Sequence, residues 1–184
     1  HLLWHPIFGD PPRWASPRTV ELVDEHRSEL LAALGDDWPP RLASAFGRLT
    51  PTGDDGWVPF GRDVELVVHD GHAPGHAAVW LPGARVLLAG DMLSDIELPL
   101  PLDPDDLPAY LVGLDTLAPY VERATVLVPG HGRPTTSPLE RLDADRRYLD
   151  ALLAGADPDD PRRTNPGMAE VHTRVTELAR RQRE

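Results

Sequence analysis

The sequence predicts a layered α/β domain, in the α+β sense of mixed strands covered by helices. Three observations carry that expectation. Val64, Leu66 and Val68 alternate as a strand does. Two apolar runs, Ala77 to Leu81 and Arg85 to Ala89, flank Pro82-Gly83-Ala84 as the arms of a hairpin flank its turn. Further on, Leu107, Tyr110, Leu111, Leu114 and Leu117 recur at helical spacing.

The elements follow in order. Arg13-Trp14-Ala15 reads as the end of a short strand. A helix is predicted from Ser16 to Leu34: Ser16 caps it, Pro17 suits its first turn, Leu22, Val23, Leu30, Leu31 and Leu34 give it an apolar face, and Gly35 stops it. Pro39 to Gly56 reads as loop with one helical turn around Leu42 to Phe46, a candidate flap over a site. After the hairpin, Asp103-Pro104 opens the helix carrying Leu107 to Leu117, and Thr125 to Val128 forms a strand. Two helices close the chain, from Pro138 to about Leu153 and from Pro166 to about Arg181. No repeat or linker interrupts this order, so residues 1–184 are expected to form one domain.

Composition narrows the function. The formal net charge is −12, and the basic residues are scattered or gathered near the C-terminus, which disfavours a nucleic-acid partner. No run approaches the roughly 20 apolar residues of a membrane span and no signal peptide is visible, so a cytoplasmic protein away from membranes is expected. The partner expected instead is a small-molecule substrate, and a homo-oligomer is compatible with the sequence. Cysteine is absent, which excludes disulfides, thiolate metal sites and a cysteine nucleophile. Because the chain begins at His1 rather than methionine, a preceding segment is expected.

Three pieces in the second half suggest chemistry: His72-Ala73-Pro74-Gly75-His76, Ala89-Gly90-Asp91, and Val128-Pro129-Gly130-His131-Gly132. Each ends a strand-like run with a glycine beside a His or Asp. A tight turn of that kind presents an imidazole or carboxylate stiffly, and three such turns can converge on one ion. Zinc is the expected ion, with iron and manganese as alternatives.

In order and spacing the set resembles the later motifs of the metallo-β-lactamase superfamily. Val67 to Met92 is similar to that family's strand, Pro-Gly-His turn, hairpin and Gly-Asp, and Val126 to Gly132 to its strand and Pro-Gly-His-Gly. The resemblance implies an αββα sandwich whose first strands lie outside this chain or are supplied elsewhere. It also implies that His76 binds a first metal, Asp91 bridges two, and His131 binds the second. The family's H-x-H-x-D-H loop is altered. Setting Gly9-Asp10 against the Gly-Asn that follows that loop keeps His1 as a ligand, puts Leu3 and Pro6 at two ligand positions, and offers His5 where the Asp stood. The implied metal set is therefore His76, Asp91, His131, His1 and His5, holding one ion more readily than two.

The implied activity is metal-assisted hydrolysis of a small ester, thioester, lactone or amide by an activated water. The alternative is a catalytically inactive member serving as a binding or assembly module, for which Leu3 and Pro6 argue. Other conspicuous residues have plainer readings. His72 reads first as a partly buried structural histidine, with a supporting or substrate-facing role as the alternative, His69 and Asp70 as strand-end polar residues, and His26 and His172 as helix-surface residues. Trp38 and Trp57 flank the loop-rich stretch and are candidates to line a pocket. Arg162, Arg163 and the Arg-rich tail read as a solvated helix end.

Overall fold

The computed structural model describes residues 2–35, 39–53, 64–102 and 106–184. His1, Trp38, Trp57 and Asp103-Pro104, all named above, lie outside the described residues. The chain divides into two compact units, His1–Pro59 and Phe60–Glu184.

The first unit holds strand β1 (Trp14–Ala15), helix α1 (Pro17–Ala32) and strand β2 (Thr50–Pro51), with 3-10 turns at Pro6–Phe8 and Pro40–Ala45. The helix begins as its sequence dictates: the Ser16 hydroxyl accepts from Thr19 N–H, and Pro17 opens the first turn, where its missing N–H costs nothing. β1 and β2 pair in parallel, Trp14 opposite Thr50. The apolar centre is small, consisting of Val23, Leu42 and Phe46. Arginines complete the packing, since Arg27 Nη2 donates to the carbonyls of Ala43 at 2.6 Å and Phe46 at 3.0 Å, and Arg13 Nη2 to Ala45 at 2.7 Å.

The second unit is a four-stranded sheet with helices on one face. Its strands are β3 (Glu65–Val68), β4 (Ala77–Leu81), β5 (Val86–Gly90) and β6 (Val126–Pro129), in that spatial order. The first three run antiparallel as hairpin neighbours, and β6 lies parallel to β5. A parallel neighbour requires a crossover, which is helix α2 (Leu107–Arg123). Asp106 caps that helix, its carboxylate accepting from Ala109 N–H at 2.8 Å. Helices α3 (Pro138–Leu153) and α4 (Met168–Arg183) follow.

Alternation in the strands sorts the side chains. Val67, Ala78, Trp80, Leu87, Ala89 and Leu127 face the helices and are buried with Leu114, Leu117, Leu149 and Val175. The inward residue of β3 is thus Val67, while its neighbours Leu66 and Val68 take the other face. That second face is apolar as well, carrying Val79, Leu81, Val86, Leu88, Val126 and Val128, each half-buried or exposed. Among the described residues no helix is long and apolar enough to cross a membrane.

Candidate metal centre

All three turns singled out in the sequence open at the same end of this sheet. After β3 the chain turns through His69 to His76, closed by Gly75 N–H donating to Asp70 Oδ1 at 2.8 Å and by Gly75 at φ +76°. β5 ends in Gly90 at φ +62°, which delivers Asp91. β6 ends in Pro129-Gly130, and Gly130 N–H donates to Gly90 O at 2.7 Å, so the Asp91 and His131 turns are bonded directly to one another. Glycine at 130 leaves room for the carboxylate: a Cβ there would strike Asp91 Oδ1 and force it to move.

Asp91 stands between two imidazoles. His131 Nε2 is 3.5 Å from Oδ1, and His72 Nε2 is 3.8 Å from Oδ2. Neither distance is a good hydrogen bond, yet both are near the separation of about 3.3 Å that two ligands keep on one tetrahedral ion with bonds of about 2.0–2.1 Å. His72 Nδ1 lies 2.8 Å from the carbonyl of Leu100. A carbonyl only accepts, so in the neutral ring the proton sits on Nδ1 and Nε2 presents a lone pair to a carboxylate oxygen. A cation between Nε2 and Oδ2 satisfies both atoms, as a second proton on the ring would. The donor chemistry therefore fits a divalent ion. His131, half exposed, also has Glu97 Oε1 at 3.7 Å from its Nδ1.

His76 is placed differently. Its Nε2 accepts the backbone N–H of Asp91 at 3.1 Å, which engages the lone pair a metal would need. Its Nδ1 lies 3.3 Å from His69 Nε2, and His69 Nδ1 accepts from Gly71 N–H at 3.1 Å. Two neutral rings cannot satisfy all three contacts, because accepting at both outer ends leaves both protons in the middle. The middle contact is the longest and is the one that yields. Burial pushes the His76 imidazole down to about 3, with His69 and His72 adding to the effect. It holds His69 at about 4, against a smaller opposing pull from Asp70. Both rings are neutral at pH 7.

Of the residues named from the sequence, then, the second unit brings Asp91 and His131 together and turns His76 onto the Asp91 backbone. His5 belongs to the first unit, where its Nδ1 caps the Pro6–Phe8 turn by accepting from Ile7 N–H at 3.2 Å. Two further residues lie beside these side chains and were not read as ligands from the sequence, His72 against Asp91 and Glu97 against His131. Among the described residues, no group of three or more His, Cys, Asp or Glu side chains closes round one point that could hold an ion.

A family model described as the metallo-beta-lactamase superfamily matches residues 3–155. The chain belongs to that superfamily. Membership suggests metallo-hydrolase activity and a metal-binding role in general. Solved structures agree on the mixed α/β fold. A metallo-beta-lactamase family protein from Thermus thermophilus is 21% identical with a TM-score of 0.58, covering 99% of this chain and 71% of its own. A beta-lactamase domain protein from Burkholderia ambifaria is also 21% identical, with a TM-score of 0.56, and the match covers 91% of this chain and 57% of that one. The chain thus spans little more than half the length of this second protein. A comparison with curated proteins gives no match.

Proposed function

We propose that this chain is a metal-dependent hydrolase of a small ester, thioester, lactone or amide, with an altered metal site at Asp91, whose two oxygens face His72 and His131. The observation that carries the reading is the pair His72 Nε2 and Asp91 Oδ2, two lone-pair atoms 3.8 Å apart, with His72's tautomer fixed from behind by Leu100 O. A divalent ion bound there supplies Lewis-acid activation of water and of the substrate carbonyl. Zinc suits imidazole and carboxylate donors, and iron and manganese suit them too.

The residues themselves have separable tasks. Asp91 presents one oxygen toward each imidazole, so its orientation decides both halves of the site. His76 sets that orientation by holding the Asp91 amide. Leu100 O and Glu97 lie behind the Nδ1 atoms of His72 and His131, as groups that fix ligating histidines commonly do.

Zinc titration with His72→Ala and His76→Ala tests the reading. Wild type is expected to bind zinc. His72→Ala should abolish high-affinity binding, while His76→Ala weakens it by about tenfold, the effect typical of an outer-shell group. Zinc retained by His72→Ala and lost by His76→Ala would overturn the assignment. A second reading, an inactive binding or assembly module, draws on Leu3, Pro6 and the absence among the described residues of a closed group of three ligands. It is supported if wild type takes up no zinc, iron or manganese and hydrolyses none of a panel of simple esters.

A further inference from the structure

Arg162 is buried, 5% exposed, in the 3-10 turn Pro161–Thr164, rather than solvated as its place beside Arg163 suggests. Burial of a lone guanidinium is unfavourable, so its position is explained by what it holds. Nη1 donates to Asp145 Oδ1 on α3 at 2.5 Å, to Ser94 O at 3.0 Å and to Glu97 O at 3.2 Å. Nε and Nη2 donate to the two oxygens of Asp160 at 3.0 and 2.8 Å. Nη1 has two N–H groups for three acceptors, so one of them is shared, and serving two carboxylates and two carbonyls at once suits the guanidinium fork better than an ammonium.

The segment Arg162 holds is the one that meets His131. Ser94 Oγ donates to the His131 carbonyl at 2.8 Å and accepts from Ile96 N–H at 3.1 Å and Glu97 N–H at 3.0 Å. Beside it, Asp95 Oδ1 accepts from Arg133 N–H at 2.8 Å, and Asp95 Oδ2 pairs with Arg141 of α3 at 3.3 Å. Gly132, at φ +111°, gives the His131 segment little stiffness of its own. The His131 side chain is half exposed, so packing does not fix it either.

We propose that Arg162 is a positioning residue for His131: it anchors the 94–97 loop to α3, and Ser94 transmits that anchor to the His131 backbone. The proposal rests on the metal-site reading for its consequence, though the pin itself exists without metal. It is a role for two residues outside the ligand set.

Hydrogen exchange on the metal-free full chain reads the pin directly. Ser94→Ala should speed exchange of the Arg133 and Gly130 amides by about fivefold or more while β5 stays protected, and Ser94→Thr, which keeps the hydroxyl, should restore it. Arg162→Lys should speed the same amides and those of Ile96 and Glu97. Zinc competition then reads the consequence, with affinity expected to fall about tenfold in Ser94→Ala and to recover in Ser94→Thr. Exchange at Arg133 equal to wild type in Ser94→Ala would overturn the proposal. So would faster exchange throughout the unit, or zinc affinity unaltered by the loosened pin. If wild type binds no zinc, the metal-site reading fails while the exchange data still decide whether the pin exists.

Discussion

Gly71 and Gly113 meet backbone to backbone: a Cβ on Gly113 would lie 2.8 Å from Gly71 Cα and 3.2 Å from Gly71 N. Helix α2 thereby seats the turn that carries His72. Alanine at 113 gains about 1 kcal/mol of helix propensity, but the obstacle is backbone and cannot swing aside, and overpacking costs roughly 1–3 kcal/mol. Gly113→Ala is expected to destabilise the chain in urea unfolding and to weaken zinc binding by displacing His72. A stabilised variant would show that α2 has room to move.

The Gly130→Ala substitution tests the other side of the site. Its Cβ would strike Asp91 Oδ1 and lie 3.0 Å from Gly90 O, and the carboxylate is the softer of the two. Zinc affinity should fall by about tenfold or more, with the far-ultraviolet circular dichroism unchanged. Wild-type affinity in this variant would mean that Asp91 Oδ1 is not needed.

Acid should destabilise the metal-free protein. His69 and His76 are held at about 4 and about 3 against a usual 6.5, so the unfolded chain takes up protons that the folded chain refuses. The stability these neutral rings contribute is complete above pH 6.5 and declines as pH falls toward those lowered values. Urea midpoints measured at steps from about pH 7 to about pH 4.5 should decrease steadily. A flat profile would mean that both rings take up protons in the folded chain as readily as in the unfolded one.

Leu127→Ala tests where the core lies. Leu127 is fully buried at the centre of β6 between sheet and helices, and truncating such a leucine costs about 2–5 kcal/mol. Leu88→Ala, on the other face at 36% exposure, should cost clearly less. Equal losses in calorimetry would mean that both faces of the sheet are equally covered.

Local signals were legible in the sequence. Ser16-Pro17, the Pro82-Gly83-Ala84 hairpin and the Leu107 to Leu117 spacing each act within a few residues, and each forms the expected element. What His72 and His76 each bond to is not decided locally. Both occupy one turn, and what separates them is Leu100 O in one case and Asp91 N–H in the other, partners 28 and 15 residues away. The burial of Arg162 is decided at a distance for the same reason. Its neighbour Arg163 reaches exposed Asp157, whereas Asp145, 17 residues upstream, draws Arg162 inward. The pairing of β1 with β2 was likewise invisible, because it joins Trp14 to Thr50 across a whole helix.

Residues 94–102 touch both imidazole-bearing turns. Ser94 holds the His131 carbonyl, while Leu100 O takes the His72 ring proton and Leu102 N–H donates to His72 O at 2.7 Å. One continuous stretch thus works as a ruler between the two. Inserting or deleting a residue there changes the span between His72 and His131 without touching either strand end, so the gauge of the site can drift in evolution through loop length alone.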